Sequence, residues 1–159
     1  MLCKGLITKR FINMFFNKKF ILASTSKSRF LILKNNKLNF FCFPPTCNEE
    51  FIKKQKIKQK LSPKKISLCL AKSKAESVSK IYNNSLVVGS DTIIDLNKKI
   101  IEKARNIKGA KRKLSKLSGK KHNIYSSAVA YYKNKLIWKT TQKTTIKIRK
   151  LNNKIPRII

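Results

Sequence analysis

The apolar residues of this chain are gathered into short runs, at 20–23, 38–43, 86–88, 93–96 and 128–132, with lysine-rich stretches between them. Runs of this length suit buried strands and are too short for free-standing helices. Segments with helical periodicity lie between several of them, so strand and helix alternate. That ordering leads to an α/β domain, a mixed twisted sheet flanked by helices. A chain of 159 residues accommodates one such domain with a real core. A doubly wound dinucleotide fold is excluded, because no Gly-x-Gly-x-x-Gly occurs.

Phe20 to Ala23 reads as the first strand, followed by the hydroxyl-rich turn Ser24-Thr25-Ser26. Lys27 to Asn35 carries Phe30, Leu31 and Leu33 at near-helical spacing, with Ser26 as N-cap. Free amides at such a helix start, joined by hydroxyls and Arg29, form a natural anion site. The second strand, 38–43, is stopped by Pro44-Pro45. Glu49-Glu50 follows, and the polar stretch 53–60 reads as a loop or frayed helix. Ser62 and Pro63 open a long helix that runs to Tyr82. Leu86 to Val88 is a strand ending at Gly89-Ser90. A hairpin spans 93–101, with Glu102 and Lys103 just beyond it. A basic helix over 107–117 is closed by Ser118-Gly119. Three strands are expected at 123–132, 135–141 and 144–149, with Lys133-Asn134 as a two-residue turn. Residues 1–19 form a basic extension and 151–159 a tail without a clear element. The apolar stretch in the extension is too short for a signal-peptide core or a membrane span. The expectation is therefore a soluble, cytoplasmic chain with no membrane partner.

The chain carries 39 Lys plus Arg against six Asp plus Glu, a formal charge of +33. The cations are dispersed and only six are Arg, the residue that reads bases and forks phosphates best. AT-rich codon usage accounts for much of the Lys, Asn, Ile and Phe. No specific nucleic acid is expected as partner, and a small phosphate-bearing ligand fits the charge equally well. Cys3, Cys42, Cys47 and Cys69 contain no Cys-x-x-Cys pair, and His122 is the sole histidine, which argues against tetrahedral zinc. Cys42 and Cys69 fall in apolar segments and read as small core residues.

Against this background a carboxylate is informative by its scarcity. Asp91 follows the run Leu86-Val87-Val88-Gly89-Ser90, where an acid among cations suits a metal ligand or a general base. A turn or capping aspartate is the plainer alternative.

Taken in order, the turn Leu-Ala-Ser-Thr-Ser-Lys-Ser-Arg, the pair Glu49-Glu50, the helix segment Leu-Ala-Lys-Ser-Lys-Ala at 70–75, Gly89-Ser90-Asp91-Thr92, Glu102-Lys103 and Leu117-Ser118-Gly119-Lys120-Lys121-His122 resemble the Maf family of nucleoside triphosphate pyrophosphatases, also called septum formation inhibitor-like proteins. The resemblance covers residues 20 to about 150. It implies an inosine-triphosphatase-like fold and hydrolysis of a nucleoside triphosphate to a monophosphate and pyrophosphate. A divalent cation, Mg²⁺ or Mn²⁺, assists. The family pattern makes Ser24, Ser26, Arg29, Lys74 and Lys103 substrate-binding residues. It makes Asp91 and Glu49 the catalytic pair and the metal ligands. A homodimer is compatible with it. The chemistry suits these residue types. Cations neutralise a polyanion as its charge redistributes, and a carboxylate takes the proton of the attacking water. The surrounding cations are expected to keep Asp91 ionised, which makes it a weaker base.

The chain departs from the pattern at several points. Ser28 stands beside Arg29, Asn48 replaces an aspartate, and Ala104 replaces the usual proline. A later block resembling Lys-Ala-Gly-x-Tyr, further strands and a final helix have no counterpart in Asn152 to Ile159. The expectation is a domain lacking its C-terminal part, with an edge strand unpaired and the base side open. Two alternatives to an active enzyme follow: an inactive remnant that still binds nucleotide, and a basic polyanion-binding protein whose binding falls steeply with salt.

Overall fold

In the computed structural model the described residues are 19–104 and 106–151. The expected extension and tail, Lys19 and Leu151 apart, lie outside them. The elements run β1 (Phe20–Ala23), α1 (Lys27–Asn35), β2 (Phe40–Phe43), α2 (Glu49–Lys58), α3 (Pro63–Ser79), β3 (Val87–Leu96), β4 (Lys99–Ile101), α4 (Ile107–Leu117), β5 (Lys121–Tyr132) and β6 (Lys135–Lys147). The strands form one six-stranded sheet in the order β2-β1-β3-β5-β6, with β4 also paired to β3. β1 lies parallel to both β2 and β3, and the remaining pairs are antiparallel. The α/β class with a mixed sheet stands.

The core sits where α3 crosses one face of the sheet. Ala71, Ala75 and Val78 of α3 pack against Ile21, Ala23, Val87, Val129 and Tyr131. A second cluster joins Ile66 and Leu70 of α3 to Ile93 of β3. Burying each valine or larger side chain contributes about 1.5–3 kcal/mol. α3 is set by the expected signals, Ser62 as N-cap and Pro63 in the first turn. It ends at Ser79, one turn before the expected Tyr82, which lies in the turn that follows.

Three other expectations are corrected, and for 53–60 the helical alternative holds. The stretch 53–60 is largely α2, because Asn48 caps it by accepting from the Phe51 amide, two acids fill its first turn and two lysines its last. Gly89-Ser90 does not end a strand, since β3 runs on through Asp91 to Leu96 with β5 beside it as far as Asp95. The expected strands 135–141 and 144–149 are one strand, β6, held continuous by pairing with β5 as far as Lys121 opposite Lys147. Cys42 is exposed, because β2 is the edge strand and α1 buries no residue over it; Cys69 is half-buried. Both hairpin turns follow the expected chemistry. Asn97-Lys98 and Lys133-Asn134 all have positive φ, as two-residue turns of this hand demand.

One detail of pairing positions the site. β5 occupies one edge of β3 from Val87 to Asp95. On the other edge β1 stops opposite Gly89 and β4 begins opposite Ile94. Ser90 to Ile93 therefore border a notch in the sheet, at the carboxyl end of β1. No helix among the described residues is long and apolar enough to cross a membrane.

Candidate active site

Asp91 lies in that notch, in mid-strand, on the face that alternation turns toward α3. Lys74 of α3 meets it there. The Lys74 Nζ donates to Asp91 Oδ1 at 2.8 Å and to Glu49 Oε2 at 2.7 Å. Lys74 and Asp91 are both buried, while Glu49, in the first turn of α2, is more open. One ammonium thus ties α2, α3 and β3 together at a single point.

The opposite wall is the turn after β1. Ser24 Oγ accepts from the Ser26 amide at 3.1 Å and from Arg29 Nη1 at 3.3 Å. Ser26 caps α1 as expected, accepting from the Arg29 amide. The other arm of the Arg29 guanidinium, Nη2, donates to Thr92 Oγ1 at 3.4 Å. The fork is therefore held across the notch, from the end of β1 to β3.

A cavity of about 420 Å³ lies between these walls, and Ser24, Ser26, Arg29, Glu49, Lys74, Asp91 and Lys103 all border it. Every candidate site residue from the sequence is thereby brought to one hollow. Four of the chain's six acidic residues, Glu49, Glu50, Asp91 and Glu102, line it, together with Arg29, Lys53, Lys74, Lys103 and Lys113. In a chain with so few acids, that gathering is not a sampling of its surface.

Thr92, Lys53 and Lys113 were not anticipated. Lys53 pairs with Glu102 and stands one helical turn after Glu49. The helix register reveals it once the helical alternative for 53–60 is taken. Thr92 stood in the Gly89-Ser90-Asp91-Thr92 segment with no role assigned to it.

The direction of the Asp91 shift differs from expectation. Burial pushes its carboxyl above the ordinary aspartate range; the Lys74 ammonium, its hydrogen bond and Arg29 pull it down but do not win, and Glu49 adds to the rise. Desolvation dominates because the notch shields the carboxylate from water on the side of α3. Asp91 is thus a better proton acceptor than a solvated aspartate.

This geometry coincides with a family match. The model for Maf-like protein matches residues 19–157. The chain belongs to the Maf-like family. Among its Maf-like relatives, a nucleoside triphosphate pyrophosphatase from Pelagibacter ubique is 34% identical over 134 residues, which are 84% of this chain and 69% of that protein. A 7-methyl-GTP pyrophosphatase from Bartonella henselae is 33% identical over 133 residues, 84% of this chain and 66% of that one. The Maf-like chain therefore spans about two thirds of the length of the curated relatives it matches. A solved structure of the Staphylococcus aureus Ham1 protein covers 81% of this chain and 70% of its own, with a TM-score of 0.45 and 12% identity.

Proposed function

We propose that this Maf-like protein hydrolyses a nucleoside triphosphate to the monophosphate and pyrophosphate, with residues 20–150 as the catalytic unit. The observation that carries the reading is the Glu49–Lys74–Asp91 bridge in a cavity that also holds Arg29 and the hydroxyls of Ser24 and Ser26. Water attacks the α-phosphorus, its proton passes to the Asp91 carboxylate, and the bond from that phosphorus to the bridging oxygen breaks. Pyrophosphate departs with the bonding electrons. Ser24, Ser26 and Arg29 hold phosphate oxygens at the start of α1, and Lys103 and Lys74 offset the charge that accumulates on the leaving group.

A divalent cation fits the same residues. Asp91 and Glu49 already direct oxygens at one cationic centre, the Lys74 ammonium. No group of three or more His, Cys, Asp and Glu suited to a metal occurs among the described residues. Two carboxylates completed by water and substrate phosphates is the manner in which magnesium is bound. Mg²⁺ or Mn²⁺ held by Asp91 and Glu49 would neutralise phosphate charge. The proposal includes a cytoplasmic location and a free nucleotide as substrate, and it is compatible with a homodimer.

The test is pyrophosphate release from a panel of triphosphates with magnesium or manganese. Release from at least one is expected, and none under either metal ends the claim of activity. In the same assay Thr92→Val removes one of the two hydroxyl anchors of Arg29. It should lower kcat/KM by about threefold to tenfold, the worth of one modest hydrogen bond. An unchanged value means that Arg29 is oriented without Thr92.

A further inference from the structure

Beside the first cavity an open groove of about 410 Å³ runs along α4, and the two share Glu102, Lys103 and Lys113 in their lining. Lys108, Arg112 and Lys116 border the groove alone. They stand four residues apart on α4, so they form one row with steps of about 6 Å along the helix axis. All three are exposed, and Lys113 is half-buried. The first cavity sets four acids among its five cations. In the groove the one acid among the described lining residues is Glu102, and its carboxylate is taken by Lys53, which stands outside the groove. Five cations there are left without a compensating acid in the lining.

This arrangement is unfavourable for the helix that carries it. α4 has five cations and no acid. Lys108 lies in its first turn, where the helix dipole disfavours positive charge, and Lys108–Arg112 and Arg112–Lys116 are like-charge pairs one turn apart. α2 is built the other way, with Glu49 and Glu50 in its first turn and lysines in its last. Abundant lysine does not account for Arg112, one of only six arginines in the chain. An anion in the groove offsets these repulsions, and Arg112 offers the fork that grips two phosphate oxygens at once. No aromatic ring occurs among the described lining residues. A single-stranded nucleic acid, held by stacking of its bases as well as by charge, is therefore a poorer occupant than a bare phosphate chain.

We infer that the α4 groove takes the phosphate chain of a nucleotide beyond its third phosphate, so that the site accepts nucleoside oligophosphates longer than triphosphates. The inference rests on the proposed function, which sets the leaving phosphates against Lys103. Lys103 and Lys113 border both hollows, so a chain that continues past the third phosphate passes by them into the groove. The chemistry is that of the triphosphate with a longer leaving group. Water adds to the α-phosphorus, its proton goes to the Asp91 carboxylate, and the bond from that phosphorus to the bridging oxygen breaks. With a nucleoside tetraphosphate, tripolyphosphate departs with the bonding electrons in place of pyrophosphate.

Binding of adenosine tetraphosphate and of ATP to the full chain, in buffer without divalent cations, tests this, and the shared base cancels any base preference. The tetraphosphate is expected to bind about tenfold more tightly, the worth of two or three exposed ion pairs. In the variant Lys108→Gln/Arg112→Gln/Lys116→Gln the two affinities should come to within about threefold of each other. The variant Lys72→Gln/Lys80→Gln/Lys135→Gln removes the same charge from exposed positions that border neither hollow, and it should keep the wild-type ratio. Equal affinities in the wild type, a ratio that survives the α4 substitutions, or an equal loss of the ratio in both variants overturns the inference. Should melting curves show the α4 variant unfolded, Arg112→Gln alone decides. It is expected to lower the ratio by about threefold, and an unchanged ratio overturns the inference as well. The two readings fail separately. Pyrophosphate release with equal affinities leaves the activity standing and empties the groove of its role. A tetraphosphate preference carried by α4, with no release from any triphosphate, does the reverse.

Discussion

Asp91→Asn is expected to reduce pyrophosphate release by about 10²–10⁴, the usual worth of a positioned general base. The variant keeps the shape of the side chain and an oxygen that can accept from Lys74 Nζ, now at 2.8 Å from Asp91 Oδ1, so the α3–β3 contact should persist. What it loses is the ability to take a proton. The pH dependence separates this from a structural role. Burial raises the Asp91 carboxyl above the ordinary range in the metal-free chain and a divalent cation on it would pull it back down, so the wild-type kcat/KM should show an acid limb set by this group that moves to lower pH as the metal concentration rises. The residual activity of the variant should lack that limb. Stability carries the opposite sign. A carboxyl whose folded pKa exceeds its unfolded one favours the folded state while protonated, and this contribution is lost as pH rises through the folded value. The melting temperature of Asp91→Asn relative to wild type should therefore climb across that window. Full activity in the variant, or an unchanged acid limb, assigns the proton to another group, and Glu49 on the same ammonium is next in line.

Much of this centre was legible because its parts obey local rules. Ser26 and Ser62 stand where helix caps are needed, and both caps form. The two hairpin turns carry residues suited to positive φ or adjacent to them, and both close as expected. The scarcity of acids made Asp91 and Glu49 conspicuous, and they converge on Lys74. What was hidden depends on tertiary context. The helix α2 was obscured because lysine dominates its second half, and its stability comes from Asn48 and the acids at its start, together with packing of Ile52 against the Ile66 cluster. The sign of the Asp91 shift could not be read from neighbouring charges, because burial, which no charge count contains, decides it. Cys42 looked apolar in sequence company and is exposed because its strand lies at the sheet edge.

Gly89→Ala should be the most damaging single-atom-group substitution in the domain. The glycine resembles a strand terminator in sequence, yet the structure gives it a different task. It sits inside β3, between β1 and β5, where α3 presses its backbone onto the strand. A Cβ placed there would stand 2.3 Å from the Ala71 carbonyl oxygen and 2.6 Å from the Ala75 amide nitrogen. Both obstacles are backbone, so no side-chain rotation relieves them, and α3 must move off the sheet. Overpacking of this kind costs about 3 kcal/mol when the neighbours are fixed. In a domain of this size, that corresponds to a drop in melting temperature of roughly 10 °C. The consequence for the site follows from where Lys74 stands, one residue before Ala75. Any lift of α3 at Gly89 carries the ammonium away from Asp91, two residues along the same strand. Activity should then fall by more than the unfolded fraction accounts for, and measuring both at a temperature where the variant remains folded separates the two effects. A melting temperature within about 2 °C of wild type, a shift worth less than 1 kcal/mol here, would show that helix and strand are not in the close contact from which the Lys74–Asp91 geometry is built.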